Sequence, residues 1–116
     1  MFNINMFYAV LCFISGHVFG WYAHNLQFVN EFWKDRVLLP ILLFGIPCLL
    51  SFFYGTKFAM AAVPELWTAR FMAAIFSYVA FPIMTWYYLG ESIFTFKTMA
   101  CISLSFCILL IQIFAK

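Results

Sequence analysis

Charge is what this chain has least of. Of its 116 residues only six are Lys or Arg and four are Asp or Glu, 9% in all, against about 25% in an ordinary soluble domain. That scarcity excludes a solvated globular surface, and a net charge of +2 is too small to hold a polyanion, so no nucleic-acid partner is expected. The four acids, Glu31, Asp35, Glu65 and Glu91, fall between or at the ends of the apolar runs. No carboxylate therefore lies within them, which weighs against a simple cation/proton exchange mechanism. Cysteine spacing is equally negative. Cys12, Cys48, Cys101 and Cys107 sit inside apolar segments with no CxxC and no Cys/His ligand pattern, so neither a disulfide framework nor a metal site is expected, and they read as small packing residues. No phosphate-cradling glycine loop, zincin motif or nucleophile elbow occurs. The expectation is a protein without enzyme activity and without a cofactor. The amino terminus lacks the basic region of a cleavable signal, so the first apolar run reads as a retained helix.

What is abundant is apolar surface, 67% of the residues, with 23% aromatic and 17 phenylalanines. It gathers in four runs, at 4–22, 37–54, 64–88 and 98–115. Crossing a bilayer takes about 20 mainly apolar residues as helix, because ~30 Å of hydrocarbon offers backbone N–H and C=O groups no partner and a helix satisfies them internally. The pattern predicts an all-α, integral membrane protein: one four-helix transmembrane bundle over residues 1–116, multi-pass in a cell membrane, or in the inner membrane if the source is bacterial. The lipid bilayer is its first partner. The connections are too short for a separate domain. Residues 25–36 carry Glu31, Lys34, Asp35 and Arg36 and are expected at the membrane surface, with Trp21, Tyr22 and Trp33 at headgroup depth. Pro40, Gly45 and Pro47 predict a bend in the second helix. Residues 55–63 read as the second connection, and Pro64 and Glu65 as the first turn of the third helix, where a ring-fixed φ and an acid are favoured. Gly90, Glu91 and Ser92 form a hinge that folds helices three and four into a tight antiparallel hairpin. Lys34, Arg36 and Lys97 on one side oppose Lys57 and Lys116 on the other, a small bias toward termini outside.

Ionisable groups within lipid cost ~2.5–3.5 kcal/mol at a helix centre and are functional candidates for that reason. His17 and Arg70 are the two. Gly16 and Gly20 flank His17 with the small-xxx-small spacing that lets another helix approach closely. His17 then has two readings: a neutral imidazole hydrogen-bonded across a helix contact, or a titratable group in a substrate pathway. Trp21 and His24 lie four and seven residues on and share its face. Arg70 also has two readings, a guanidinium that snorkels to the interface or one that points inward to an anionic headgroup, a carboxylate or a partner's acid. Ala73, Ala74 and Ser77 continue its face with small side chains and leave room beside it.

The segment Trp86-Tyr87-Tyr88-Leu89-Gly90-Glu91-Ser92-Ile93, followed by an apolar helix, resembles the aromatic-apolar-Leu-Gly-Glu turn before the last helix of a four-helix unit in the drug/metabolite transporter superfamily. Length, helix count and the Val63-Pro64 entry into helix three are similar to its four-helix members, including the small multidrug resistance transporters. On that alignment His17-Val18-Phe19-Gly20 falls where those transporters carry glutamate, two apolar residues and glycine, and Arg70 falls near their substrate-facing aromatic. The histidine replaces the proton- and cation-binding glutamate, so cationic drug export is not implied. Small subunits of lipid-linked sugar flippases share the layout. The resemblance implies a small transporter or flippase component that moves a metabolite or amphiphile by alternating access as a dimer, with His17, Trp21, Arg70 and Ser77 along the pathway, Gly16 and Gly20 in helix packing and Gly90 and Glu91 in the turn. The competing expectation is an accessory subunit packed against a larger membrane complex.

Overall fold

A computed structural model describes residues 3–115, which fold entirely into helices and connections with no strand among them. Lys116, counted above in the charge bias, lies outside the described residues. Four helices are long and apolar enough to cross a membrane: Ile4–Phe28, Leu38–Ala62, Leu66–Leu89 and Phe96–Phe114. They are compatible with a multi-pass membrane protein.

Local chemistry explains where each begins. Asn3 caps the first helix, its side-chain oxygen accepting the Met6 N–H at 3.0 Å, which satisfies one of the amide donors that every helix start leaves free. The helix runs as α from Ile4–Asn25 and tightens into a 3-10 turn over Leu26–Phe28. Asn30 caps a single surface turn, Glu31–Lys34, whose end is covered by Arg36 donating to the Phe32 carbonyl and stacking over the Phe32 ring. Thr95 caps the fourth helix through the Thr98 N–H. Gly90 ends the third with φ +73°, a left-handed conformation, and its N–H reaches the Trp86 carbonyl at 3.0 Å. A glycine there avoids the Cβ clash that any other residue would meet.

The helices depart from the expected bounds: the first runs six residues further, to Phe28, and the fourth begins two residues earlier, at Phe96. The second continues eight residues further, to Ala62, leaving only residues 63–65 as its connection to the third. Gly55, Thr56 and Lys57 are helical, because Gly55 is the contact point for Phe13 and Lys57 extends from the helix with its ammonium 6.0 Å from the Tyr54 ring centroid. Where a bend is expected, the helix carries a π-helical stretch, Ile41–Gly45, ending two residues before Pro47. An extra residue in the turn accommodates a ring that cannot donate and would press on the carbonyl four residues back. In the third, Pro64 and Glu65 precede the helix instead of forming its first turn. Glu65 has extended backbone at the cap position.

Packing centres on the first three helices. Met6, Ala9 and Phe13 from the first, Ala59 from the second, and Ala69 and Met72 from the third form the buried core, with Leu109 of the fourth at its edge. Phe13 is fully buried, and Gly55 makes room for it: a Cβ at Gly55 would stand 2.7 Å from the ring. The first helix lies along the second and against Ser77–Leu89 of the third. The fourth packs mainly on Leu66–Ile75, tied by the Gln112 amide donating to Thr68 Oγ1 at 3.2 Å, and none of its residues is buried. The overall extents of 49 × 34 × 19 Å describe a slab about two helix diameters thick. Within the four-helix arrangement, three helices supply the buried core and the fourth is peripheral. Near the Gly90 turn, helices three and four diverge around a recess lined by Tyr78, Pro82 and Cys101 among others, so their hairpin is not tight there.

Candidate functional site

The third helix breaks at Phe76, dividing into Leu66–Ile75 and Ser77–Leu89. Around the break Phe76 N–H bonds the Met72 carbonyl at 3.4 Å, while Val79 and Ala80 N–H both turn to the Phe76 carbonyl. Ser77 contributes to it locally. Its hydroxyl donates back to the Ala74 carbonyl at 2.7 Å, the kind of side-chain bond that competes with the backbone ladder and bends a helix. The Ala73 carbonyl finds its partner in another helix: His17 Nε2 lies 2.5 Å away. A carbonyl oxygen only accepts, so Nε2 carries the proton, and in the neutral ring Nδ1 keeps a lone pair. His17 thereby satisfies a backbone group at a place where lipid cannot.

Beside this contact is a cavity of about 630 Å³ between helices two and three, with His17 of helix one at its inner end. Phe52 and Thr56 form the wall from helix two; Leu66, Trp67, Arg70, Ala73 and Ala74 form the wall from helix three. Phe52 sets its ring edge against the imidazole, centroids 4.9 Å apart, and Trp67 stacks on Phe71 at 5.8 Å. Measured along the third helix at ~1.5 Å per residue, Leu66 to Ala74 spans roughly 12 Å, with Arg70 midway. Among the lining residues Arg70 alone carries a fixed charge, and no carboxylate faces it.

The residues singled out in the sequence separate into groups. His17 and Arg70 line this one cavity; Trp21 and Ser77 do not. Trp21, on the first helix, is buried against the Ser77–Leu89 half of the third, donating its indole N–H to Thr85 Oγ1 at 2.9 Å and stacking on Tyr88 at 5.1 Å. Tyr22 and Tyr88 hydroxyls meet at 2.9 Å in the same aromatic cluster. His24 turns back on its own helix, Nδ1–H to the Gly20 carbonyl at 2.8 Å, so His17, Trp21 and His24 have three different environments and no shared strip. Gly16 and Gly20 face helix two, where a Cβ would stand 3.0 Å from the Phe52 ring and 3.4 Å from Cys48 Sγ respectively. Gly90 and Glu91 are both exposed at the turn. Sequence reasoning missed Phe52, Thr56 and Gly55. Phe52 is one of 17 phenylalanines with nothing to mark it, and the other two fell in a stretch read as a connection. The described residues hold no group of three or more metal-ligating side chains.

Comparison of the chain with protein-family models, with curated proteins and with solved structures finds no match. The geometry and the turn motif are what a functional reading has to rest on.

Proposed function

We propose that this protein is a small membrane transporter or flippase component that moves a small metabolite or amphiphile by alternating access, working as a homodimer. One observation carries the reading: an imidazole and a guanidinium share a cavity with mainly apolar walls, beside a break in a helix long enough to cross the bilayer. Polar groups and interrupted helices at such depth are costly and are tolerated where they line a pathway. The break also separates two bodies. Leu66–Ile75 packs on the fourth helix and, through Ala69 and Met72, on the core of helices one and two, whereas Ser77–Leu89 packs on the first, so a change of angle at Phe76 would alter access to the cavity at the expense of some of those core contacts. The likeness of the Gly90-Glu91 turn to that of the drug/metabolite transporter superfamily supports the same class.

The test uses proteoliposomes containing a nitrobenzoxadiazole-labelled lipid and external dithionite. Wild-type protein is expected to expose inner-leaflet label to the reductant, and His17→Ala to abolish that movement while eluting at the wild-type position in detergent. Unchanged movement in His17→Ala would remove the cavity from the mechanism. A second reading, an accessory subunit of a larger membrane complex, is favoured by one specific feature, the fourth helix with no buried residue.

A further inference from the structure

We infer that the Arg70 cavity binds an anionic amphiphile, its phosphate or carboxylate head on the guanidinium and its apolar tail along Phe52, Ala73 and Ala74. The inference deepens the transport reading above by naming the class of cargo, and rests on it for the cavity's being a pathway. Five observations combine. Arg70 is exposed within a recess whose lining contains no acid, so no lining group neutralises its charge, and a guanidinium presents paired donors that match two oxygens of a carboxylate or phosphate. It lies about four residues, ~6 Å, beyond the start of its helix, a depth a lipid headgroup reaches by a small displacement. The walls beyond it, toward the bilayer centre, are aromatic ring and methyl groups, suited to a hydrocarbon chain and unsuited to a small hydrophilic ion. At the inner end the His17 Nε2–H is already spent on the Ala73 carbonyl and is not free to meet an anion, which favours Arg70 as the seat of the head. Thr56, on the facing wall, adds a hydroxyl able to donate to the same head.

The experiment measures lipid retained by the full-length protein in mild detergent, by native mass spectrometry, with dioleoyl phosphatidic acid, oleate, dioleoyl phosphatidylcholine and inorganic phosphate as probes. Preferential retention of phosphatidic acid or oleate over phosphatidylcholine is expected, and the preferred one of the two identifies the head. Arg70→Gln should weaken that retention about tenfold, the scale of a lost charge-assisted hydrogen bond. Lys57→Gln, which removes a cation from helix two outside this cavity, should leave it unchanged. Ala74→Leu keeps the charge and fills the recess, and should weaken it as well, so the idea stays testable if Arg70→Gln misfolds. Equal retention by Arg70→Gln and wild type, an equal loss in Lys57→Gln, or inorganic phosphate bound as tightly as phosphatidic acid would each overturn it. Binding is read without flux and flux without these lipids, so selective retention with no transport would sink the functional proposal alone, and transport with no retention would sink this one alone.

Discussion

At the scale of single residues, the glycines show how space is allotted between helices one and two. Gly16, Gly20 and Gly55 all lie in that contact, yet a Cβ would meet Phe52 at 3.0 Å, Cys48 at 3.4 Å and the fully buried Phe13 at 2.7 Å respectively. Alanine is about 1 kcal/mol better than glycine in a helix interior, whereas forcing a methyl group into a filled core costs typically 1–3 kcal/mol. Gly55→Ala is therefore expected to lower the thermal unfolding midpoint in detergent, because the ring it strikes has no free direction. Gly20→Ala, at ordinary contact distance, should hold or raise it. A higher midpoint for Gly55→Ala would mean that the Phe13 contact is looser than described. The pair Gly16/Gly20 was legible from spacing alone; Gly55 was not, since its partner is a phenylalanine 42 positions away. His17 and Arg70 were legible because charge and imidazole are costly in hydrocarbon. Their joint cavity was not, because it depends on the crossing of three helices. Trp21 shares a helical face with His17, and that much holds: both bond to helix three, but to its two separate halves.

At the scale of the element, composition misled where a helix uses loop-like residues. Gly55, Thr56 and Lys57 resemble a connection, but near a helix end a lysine places its ammonium at the interface while its stem stays with the helix. An irregularity in helix two was readable from Pro47, whose missing N–H has a local consequence, and the structure shows it as the π-helical stretch Ile41–Gly45. The break in helix three was not, since Phe76 carries no helix-breaking chemistry of its own and Pro82 lies six residues on. What sustains the break is one local bond, Ser77 to Ala74, and one distant bond, His17 to Ala73. Ser77→Ala removes the local bond and improves propensity, and should stabilise the protein by about 0.5 kcal/mol. It should also slow hydrogen exchange at the Ser77 and Tyr78 amides as the ladder closes, and slow transport if rocking about Phe76 is the motion. Exchange at these amides as slow in wild type as in Ser77→Ala would show that the helix is continuous in solution.

For the whole molecule, the arrangement exposes more surface than its size requires. The accessible area is 8029 Å², where a compact soluble chain of this mass would show about 6,600 Å². The excess reflects the flat shape and the peripheral fourth helix, on which Leu104, Ile111 and Phe114 are exposed. Lipid covers such side chains as well as protein does, and in a bilayer apolar area by itself provides no force for association. What argues for a second copy is the geometry of the cavity. It lies within a slab only 19 Å thick, which leaves one chain little protein with which to seal it from lipid on every side. Light scattering in mild detergent, with the detergent contribution subtracted, is expected to give a particle of two chains. The same particle should persist in Arg70→Gln, since Arg70 lies in the cavity and makes no interhelical hydrogen bond among the described residues. Consistent recovery in stoichiometric association with a larger assembly, and no stable particle without it, would favour the accessory subunit, because an unburied helix is what such an assembly would cover.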